Sequence, residues 1–570
     1  MLRIRYFGGV AISLSLIAGI ALASNPARHA TPRTQGGPMN DGAGQTILIG
    51  IGDSLTQGTA DATDNYIATQ NAYLQRVADA LGQVLPLRYS APLLSLNGIR
   101  ISPFQTPTNL GVDGADTWSI DGLTYYKRHG LVPPSPVDGD AYCDANGPRQ
   151  LTSLYDKVLF PINRLAGEPV TVMDSAEYLL NQHLSASTAN KAAVILWIGN
   201  NDSSTASLGE GGSHPTFLPL PLEQVDPELT PLLRALANQA IADGELSIEP
   251  YSIASIDRNL TTIDDFNGQL NYLVDRLAAA GPDPARVDLF LLTLPYYSSI
   301  GYLFDSEDIE YYLQKVDPAY TVPASFKRVA PPGQPILDPF AGDRISLLTF
   351  GFMYLLLDSG YSVDYVNSVL ETNGVQRDGL VMSEAEAAHI RDRIDGFNDI
   401  IRSAAGAHPA ITLIDIGDYI NQAFAGDITI VVGDKTLSRK WIRGSAFSFD
   451  GVHPGYTGHA LLANYLLERI GPVLGVSAAA YHLPAIQLSD PYVDFDGDGF
   501  APGPPYEGSG FGEALFYFKD PDDSNASIGP VIPDDAWTQL SRAILKALLD
   551  FPRLRLEAER IQSGAVIELP

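Results

Sequence analysis

Five residues of this 570-residue chain have the types and placements that acyl transfer needs. Ser54 ends the stretch Thr46–Ser54, in which the apolar run Ile47, Leu48, Ile49 and Ile51 stops at Gly52-Asp53. A serine on the turn leaving a buried strand reaches a substrate while its backbone stays rigid. Its hydroxyl needs a base to take its proton, and His453 is the candidate. Asp450, three residues earlier in Asp450-Gly451-Val452-His453-Pro454, can fix the imidazole tautomer and stabilise the cation that forms. The oxyanion needs fixed donors. Asn201, in Gly199-Asn200-Asn201-Asp202, offers a side-chain amide. Gly114, in Asn109-Leu110-Gly111-Val112-Asp113-Gly114, offers an unhindered N–H, and Ser54 adds its own. Each such donor is worth ~3 kcal/mol of transition-state stabilisation. Each segment alone is an ordinary turn or helix entry; their conjunction at strand ends and helix starts is what points to chemistry.

Elements at the right intervals position these groups. Apolar runs predict strands over Thr46–Ile51, Ala192–Ile198, Asp288–Leu294 and Ile411–Ile416. Helical spacing predicts helices over Ala72–Leu81, Thr262–Ala280 (stopped by Gly281), Ser383–Gly406 and Gly458–Ile470. Ser383 and Glu386 have the spacing of a capping box. Strands alternating with helices imply an α/β protein with a mainly parallel sheet. Stretches near 118–170, 203–257 and 302–380 break the alternation and are expected to be insertions around the functional edge. Within the last, Leu347–Leu357 is expected to be core rather than a lid. The pairs Tyr125-Tyr126, Tyr296-Tyr297 and Tyr311-Tyr312 are most simply packing residues.

In order and content, the four segments resemble the four blocks of the GDSL, or SGNH, hydrolase family. Ser54, Gly114, Asn201 and His453 match the namesake residues and Asp450 the third triad member; Gly114, five residues after Asn109, matches better than Gly111. The resemblance covers 46–475, apart from the insertions. It implies a three-layer α/β/α sandwich of flavodoxin-like type and ester hydrolysis through a serine acyl-enzyme, with no cofactor for catalysis. It leaves open the substrate, whether a lipid, a small ester or an acetylated glycan. A carbohydrate O-deacetylase using the same site is the enzyme alternative, and an inactive secreted binding module is the alternative of another class. Gly-x-Ser-x-Gly, P-loop and His-Glu-x-x-His signatures are absent.

Bulk composition narrows the partners. Lys and Arg number 36 against 66 Asp and Glu, a net charge of -30, which argues against nucleic acid because phosphates would be repelled. Arg3 and Arg5, the apolar run Gly8–Ala23 and Ala21-Leu22-Ala23 predict a signal peptide over 1–23 and hence export, followed by a flexible linker over 24–45. No later run is long enough to span a bilayer. Cys143 is the one cysteine, with Asp140 and Asp144 disfavouring a thiolate, so it is expected to be structural or incidental.

The C-terminal extension, 476–570, falls outside the resemblance. It carries Asp494, Asp496 and Asp498 at alternate positions before Gly499, the opening half of an EF-hand-type calcium loop. Position twelve, where a bidentate Glu belongs, is Pro505, and Glu507 lies two residues late. The pattern fits either structural calcium or a solvated acidic turn. Asp520, Asp522 and Asp523 form a second acidic cluster, expected at the surface.

Overall fold

The computed structural model describes residues 44–127, 139–208, 235, 253–327, 341–372, 375–376, 380–425, 428–506 and 518–540. The expected signal peptide, nearly all of the linker, most of the 203–257 insertion and Glu507 lie outside them.

Five strands form one all-parallel sheet: β1 (Thr46–Gly52), β2 (Leu87–Arg88), β3 (Lys191–Trp197), β4 (Val287–Leu292) and β5 (Ile411–Ile414). The order is β2-β1-β3-β4-β5, with Ile49 opposite Val194 and Val194 opposite Leu289. Continuous apolar runs suit β1, β3 and β4 because these strands are covered on both faces. From β1 the chain winds first to β2 and then back across to β3, so the crevice between the C-terminal ends of β1 and β3 is a topological switch point.

The helices form the outer layers. We number them α1 (Ser54–Gln57), α2 (Tyr73–Leu81), α3 (Val172–Ala186), α4 (Asn201–Leu208), α5 (Ile263–Ala279), α6 (Ser306–Val316), α7 (Leu347–Asp358), α8 (Glu384–Ala407) and α9 (Tyr456–Val473). α2 packs on α9, while α3, α5 and α8 pack on the strands and on each other. Side-chain caps start two of these helices, the first of them the capping box that the sequence predicts. Ser383 and Glu386 close a capping box, and the Thr262 hydroxyl accepts from the Asp265 N–H.

Several boundaries shift. β5 ends at Ile414, not Ile416, because the Asp415 carbonyl already accepts from Tyr419 in the helix that follows. α9 begins at Tyr456, two residues ahead of Gly458, and runs to Val473. β2 has only two residues and no apolar run, so no periodicity announces it. The 302–380 stretch is largely helical where described, through α6, α7 and Val363–Leu370. α7 is buried on every side from Leu347 to Leu357, as core requires. Phe350 on α7 stacks on Phe304 and joins Tyr312, Trp441 and Phe518 in an aromatic cluster. Among the described residues, no helix is long and apolar enough to cross a membrane.

Candidate active site

Ser54 opens α1 directly after β1. The Asp53 side chain caps that helix through the Leu55 N–H, 3.0 Å away, and its other oxygen accepts from Asn200 Nδ2 at 2.8 Å. Asp53 thus ties the turn after β1 to the turn after β3. Burial pushes its carboxyl up to about 6, against the hydrogen bonds from Asn200 and Leu55. Gly52 has no room for a side chain: a Cβ would lie 2.4 Å from the Trp197 carbonyl oxygen, the price of β1 and β3 lying so close at the switch point.

Residues 108–112 run beside β1 and lock the second block to the first. Leu110 N–H donates to the Gly50 carbonyl and Val112 N–H to that of Gly52. Asn109 Nδ2 donates to the Thr56 carbonyl at 2.8 Å, and Gln57 Oε1 accepts from Asp113 N–H at 2.6 Å. Gly114 then turns with φ +76°, a conformation that favours glycine, and its surroundings are open. Its N–H makes no hydrogen bond among the described residues. Asn201, at the start of α4, donates through Nδ2 to the Ala115 carbonyl at 2.9 Å, which fixes the amide's orientation against the same loop.

Asp450 and His453 form a buried pair. His453 Nδ1 lies 2.7 Å from Asp450 Oδ2, leaving Nε2 as the nitrogen that can serve a hydroxyl. Asp450 is fully satisfied. Oδ2 also accepts from Ala62 N–H at 2.7 Å, and Oδ1 accepts from the Ser448 hydroxyl and the N–H groups of Val452 and His453. Burial opposes its charge, but His453 and these donors hold the carboxyl below the usual carboxylate range. Burial also opposes the imidazolium. The Asp450 charge and hydrogen bond, with Asp113 and Asp64 farther off, outweigh it and push His453 up to about 9.

Part of this support has no sequence signal. Asp61 and Ala62 both take φ near +50°, strained for side-chain-bearing residues. That conformation sends the Asp61 N–H to Ser448 Oγ and the Ala62 N–H to Asp450. The Asp61 carboxylate in turn accepts from Phe449 N–H at 2.9 Å and from the Tyr492 hydroxyl at 2.6 Å. The chain separations exceed 380 residues, so nothing local marks Asp61, Ser448 or Tyr492 as partners.

Ser54, Asn201 and His453 line one cavity of about 150 Å³, together with Asp53, Asp113 and Asn200. Ser54 and His453 share its wall without a hydrogen bond between them. Gly114 is exposed and is not itself in the lining; its neighbour Asp113 is. The rest of the wall is apolar: Trp197, Leu208, Ile300, Ile420, Phe424 and Phe447. Tyr296 and Tyr297 also line it, and the Tyr297 hydroxyl donates to the Asn200 carbonyl, so this tyrosine pair belongs to the site. The other two pairs stand elsewhere: Tyr125 and Tyr126 bind Asp265, and Tyr311 and Tyr312 pack beside the acidic loop. Cys143 is buried away from the lining, and burial pushes its thiol up to about 12, with Asp156 and Asp144 adding to the shift. Asp494, Asp496 and Asp498 bring carboxylate oxygens within 4.8 Å of one another, also apart from the cavity.

A scan against models of known protein families finds no match to this chain, and neither does a search of curated protein sequences.

Proposed function

We propose that this chain is an exported serine hydrolase that cleaves carboxylic esters, of the GDSL/SGNH type that its four segments resemble. The observation that carries the reading is the buried His453–Asp450 pair opening onto the same cavity as Ser54 and Asn201. Ser54 Oγ attacks the ester carbonyl carbon while His453 Nε2 takes its proton, and Asp450 stabilises the imidazolium. The oxyanion is held by the N–H groups of Ser54 and Gly114 and by the Asn201 amide. Collapse expels the alcohol, which receives the proton from His453. Water, activated by the same imidazole, then releases the acid and restores Ser54.

The cavity wall favours an apolar acyl chain over an acetyl group on a sugar. Trp197, Phe424 and Phe447 would be left unused by an acetyl ester. Each methylene buried against such a wall contributes ~0.8 kcal/mol, or up to about fourfold in kcat/KM. The test is a panel of chromogenic esters of increasing acyl length, run on the wild type and on Ser54→Ala. Rates should rise from acetyl toward longer acyl groups, and Ser54→Ala should lose activity by on the order of 10⁶-fold while keeping its fold. Full turnover in that variant would sink the reading; a strong preference for acetylated glycans would replace its substrate class with that of a deacetylase.

A further inference from the structure

The half calcium loop of the sequence finds its missing ligands in a distant segment. Asp494, Asp496 and Asp498 place one oxygen each within 4.8 Å of one another, and Asp496, Asp520 and Asp523 do the same. Asp496 belongs to both groups. The two segments are brought side by side by a parallel bridge between Ala501 and Lys519, with the Asp520 N–H donating to the Ala501 carbonyl at 2.9 Å. Asp523 also accepts from the Phe495 N–H at 2.8 Å. The acidic cluster expected at the surface is therefore folded against the loop. It supplies carboxylates where the EF-hand pattern, with Pro505 at position twelve, lacks one.

Crowding alone would not make a site, because acidic turns are common. The decisive group is Asp520. It is 3% exposed, and its Oδ2 has no hydrogen-bond partner. A buried carboxylate oxygen without a donor is costly. Asp496 Oδ2 is likewise buried and unpartnered. Among the described residues no Lys, Arg or His forms an ion pair with any of these five carboxylates. Two bare oxygens in this acidic cluster lack the donors that a bound cation would replace. Hard carboxylate ligands, several in number and on loops, suit calcium, whose oxygen distances of about 2.3–2.6 Å allow ligand atoms up to about 5 Å apart. Magnesium demands a tighter octahedron and keeps more of its water.

We infer that Asp494, Asp496, Asp498, Asp520 and Asp523 form a calcium-binding cluster of two overlapping groups of three, with Asp496 shared between them and joining the two segments. The site closes a brace behind the catalytic loop. The Tyr312 hydroxyl shares its one proton between the Gly499 and Trp441 carbonyls, and Trp441 Nε1 donates to the Phe449 carbonyl beside Asp450. Phe500 and Phe518, one from each segment, stack 6.3 Å apart, and both rings pack on the aromatic cluster of α6 and α7.

The test reads binding and stability rather than turnover, so it stands or falls separately from the hydrolase reading. The full chain, stripped with a chelator, is titrated with calcium chloride by calorimetry and melted with calcium, with magnesium and with chelator. Saturable calcium binding is expected, with Kd at or below about 10⁻³ M, the weak end of the range for extracellular modules. Calcium should raise Tm by several degrees and magnesium by less. Asp496→Asn and Asp520→Asn should each lose the calcium heat and the Tm shift. Both neutral variants relieve like-charge repulsion, so their calcium-free melting should be no lower than that of the wild type. No saturable heat, a magnesium response equal to that of calcium, or a calcium response surviving in either variant would overturn the two-segment site.

Discussion

Two clusters of buried aspartates in this chain meet opposite surroundings. Asp450 is 1% exposed, yet every donor a carboxylate needs is present: a hydroxyl, three N–H groups and an imidazole. Asp520 is nearly as buried, but it faces other carboxylates and keeps one oxygen bare. The residue type and the burial are the same; the partners differ. A buried carboxylate with a full set of donors is a fixed anion, suited to orienting a histidine and holding its charge. A buried carboxylate among its own kind lacks such donors, and its charge is met only by a proton or by a cation from outside. The comparison teaches that acidity along a chain says little until the neighbours of each carboxylate are known.

The contrast can be broken most forcefully at Asp450. Asp450→Asn keeps the shape and removes the fixed charge, so kcat should fall by roughly 10³–10⁴-fold. The pH profile supplies the sharper readout. His453 works as a base only when neutral, and Asp450 holds its protonated form up to about 9. The kcat/KM of the wild type should therefore rise with pH, with its inflection near about 9, and that inflection should fall toward the ordinary histidine range in Asp450→Asn. The same linkage acts on stability. A raised histidine pKa contributes stability that is complete below the ordinary value of 6.5 and is lost as pH rises through about 9. An unchanged inflection in the variant would remove Asp450 from its role.

Asn201→Ala probes a neutral donor on the same cavity, so its effect should be smaller, ~10²–10³-fold in kcat with little change in KM. A KM effect without a kcat effect would make Asn201 a substrate-binding group instead. The smallest effect lies at the crowded cluster, where the loss of calcium response in Asp496→Asn is read in degrees of Tm rather than in decades of rate.

How far the molecule was legible in its sequence follows the same division between local and distant. Strands β1, β3 and β4 announced themselves because burial on both faces demands unbroken apolar runs. Helix α5 did so through its apolar stripe and the Gly281 stop, and α8 through its stripe and capping box. The placements of Ser54, Asn201 and His453 follow from local rules, since each stands at a strand end or helix entry. β2 escaped because two half-buried residues carry no period. The Asp61–Ala62 turn, Ser448 and Tyr492 escaped because their partnership spans most of the chain and strained backbone has no composition. The role of Tyr297 was hidden for a similar reason: a paired tyrosine looks the same whether it packs a core or lines a cavity. Asp520 and Asp523 belonged to a surface cluster on local grounds, and only the bridge at Ala501 brings them to Asp496.

Covalent labelling tests most directly whether Ser54 is a nucleophile activated by the His453–Asp450 pair. A fluorophosphonate loses fluoride to an activated serine and leaves a stable phosphonyl ester, read by intact mass and peptide mapping. A single adduct on Ser54 is expected, absent in Ser54→Ala and formed far more slowly in His453→Ala. An adduct on another residue, or labelling at an unchanged rate without His453, would contradict the assignment.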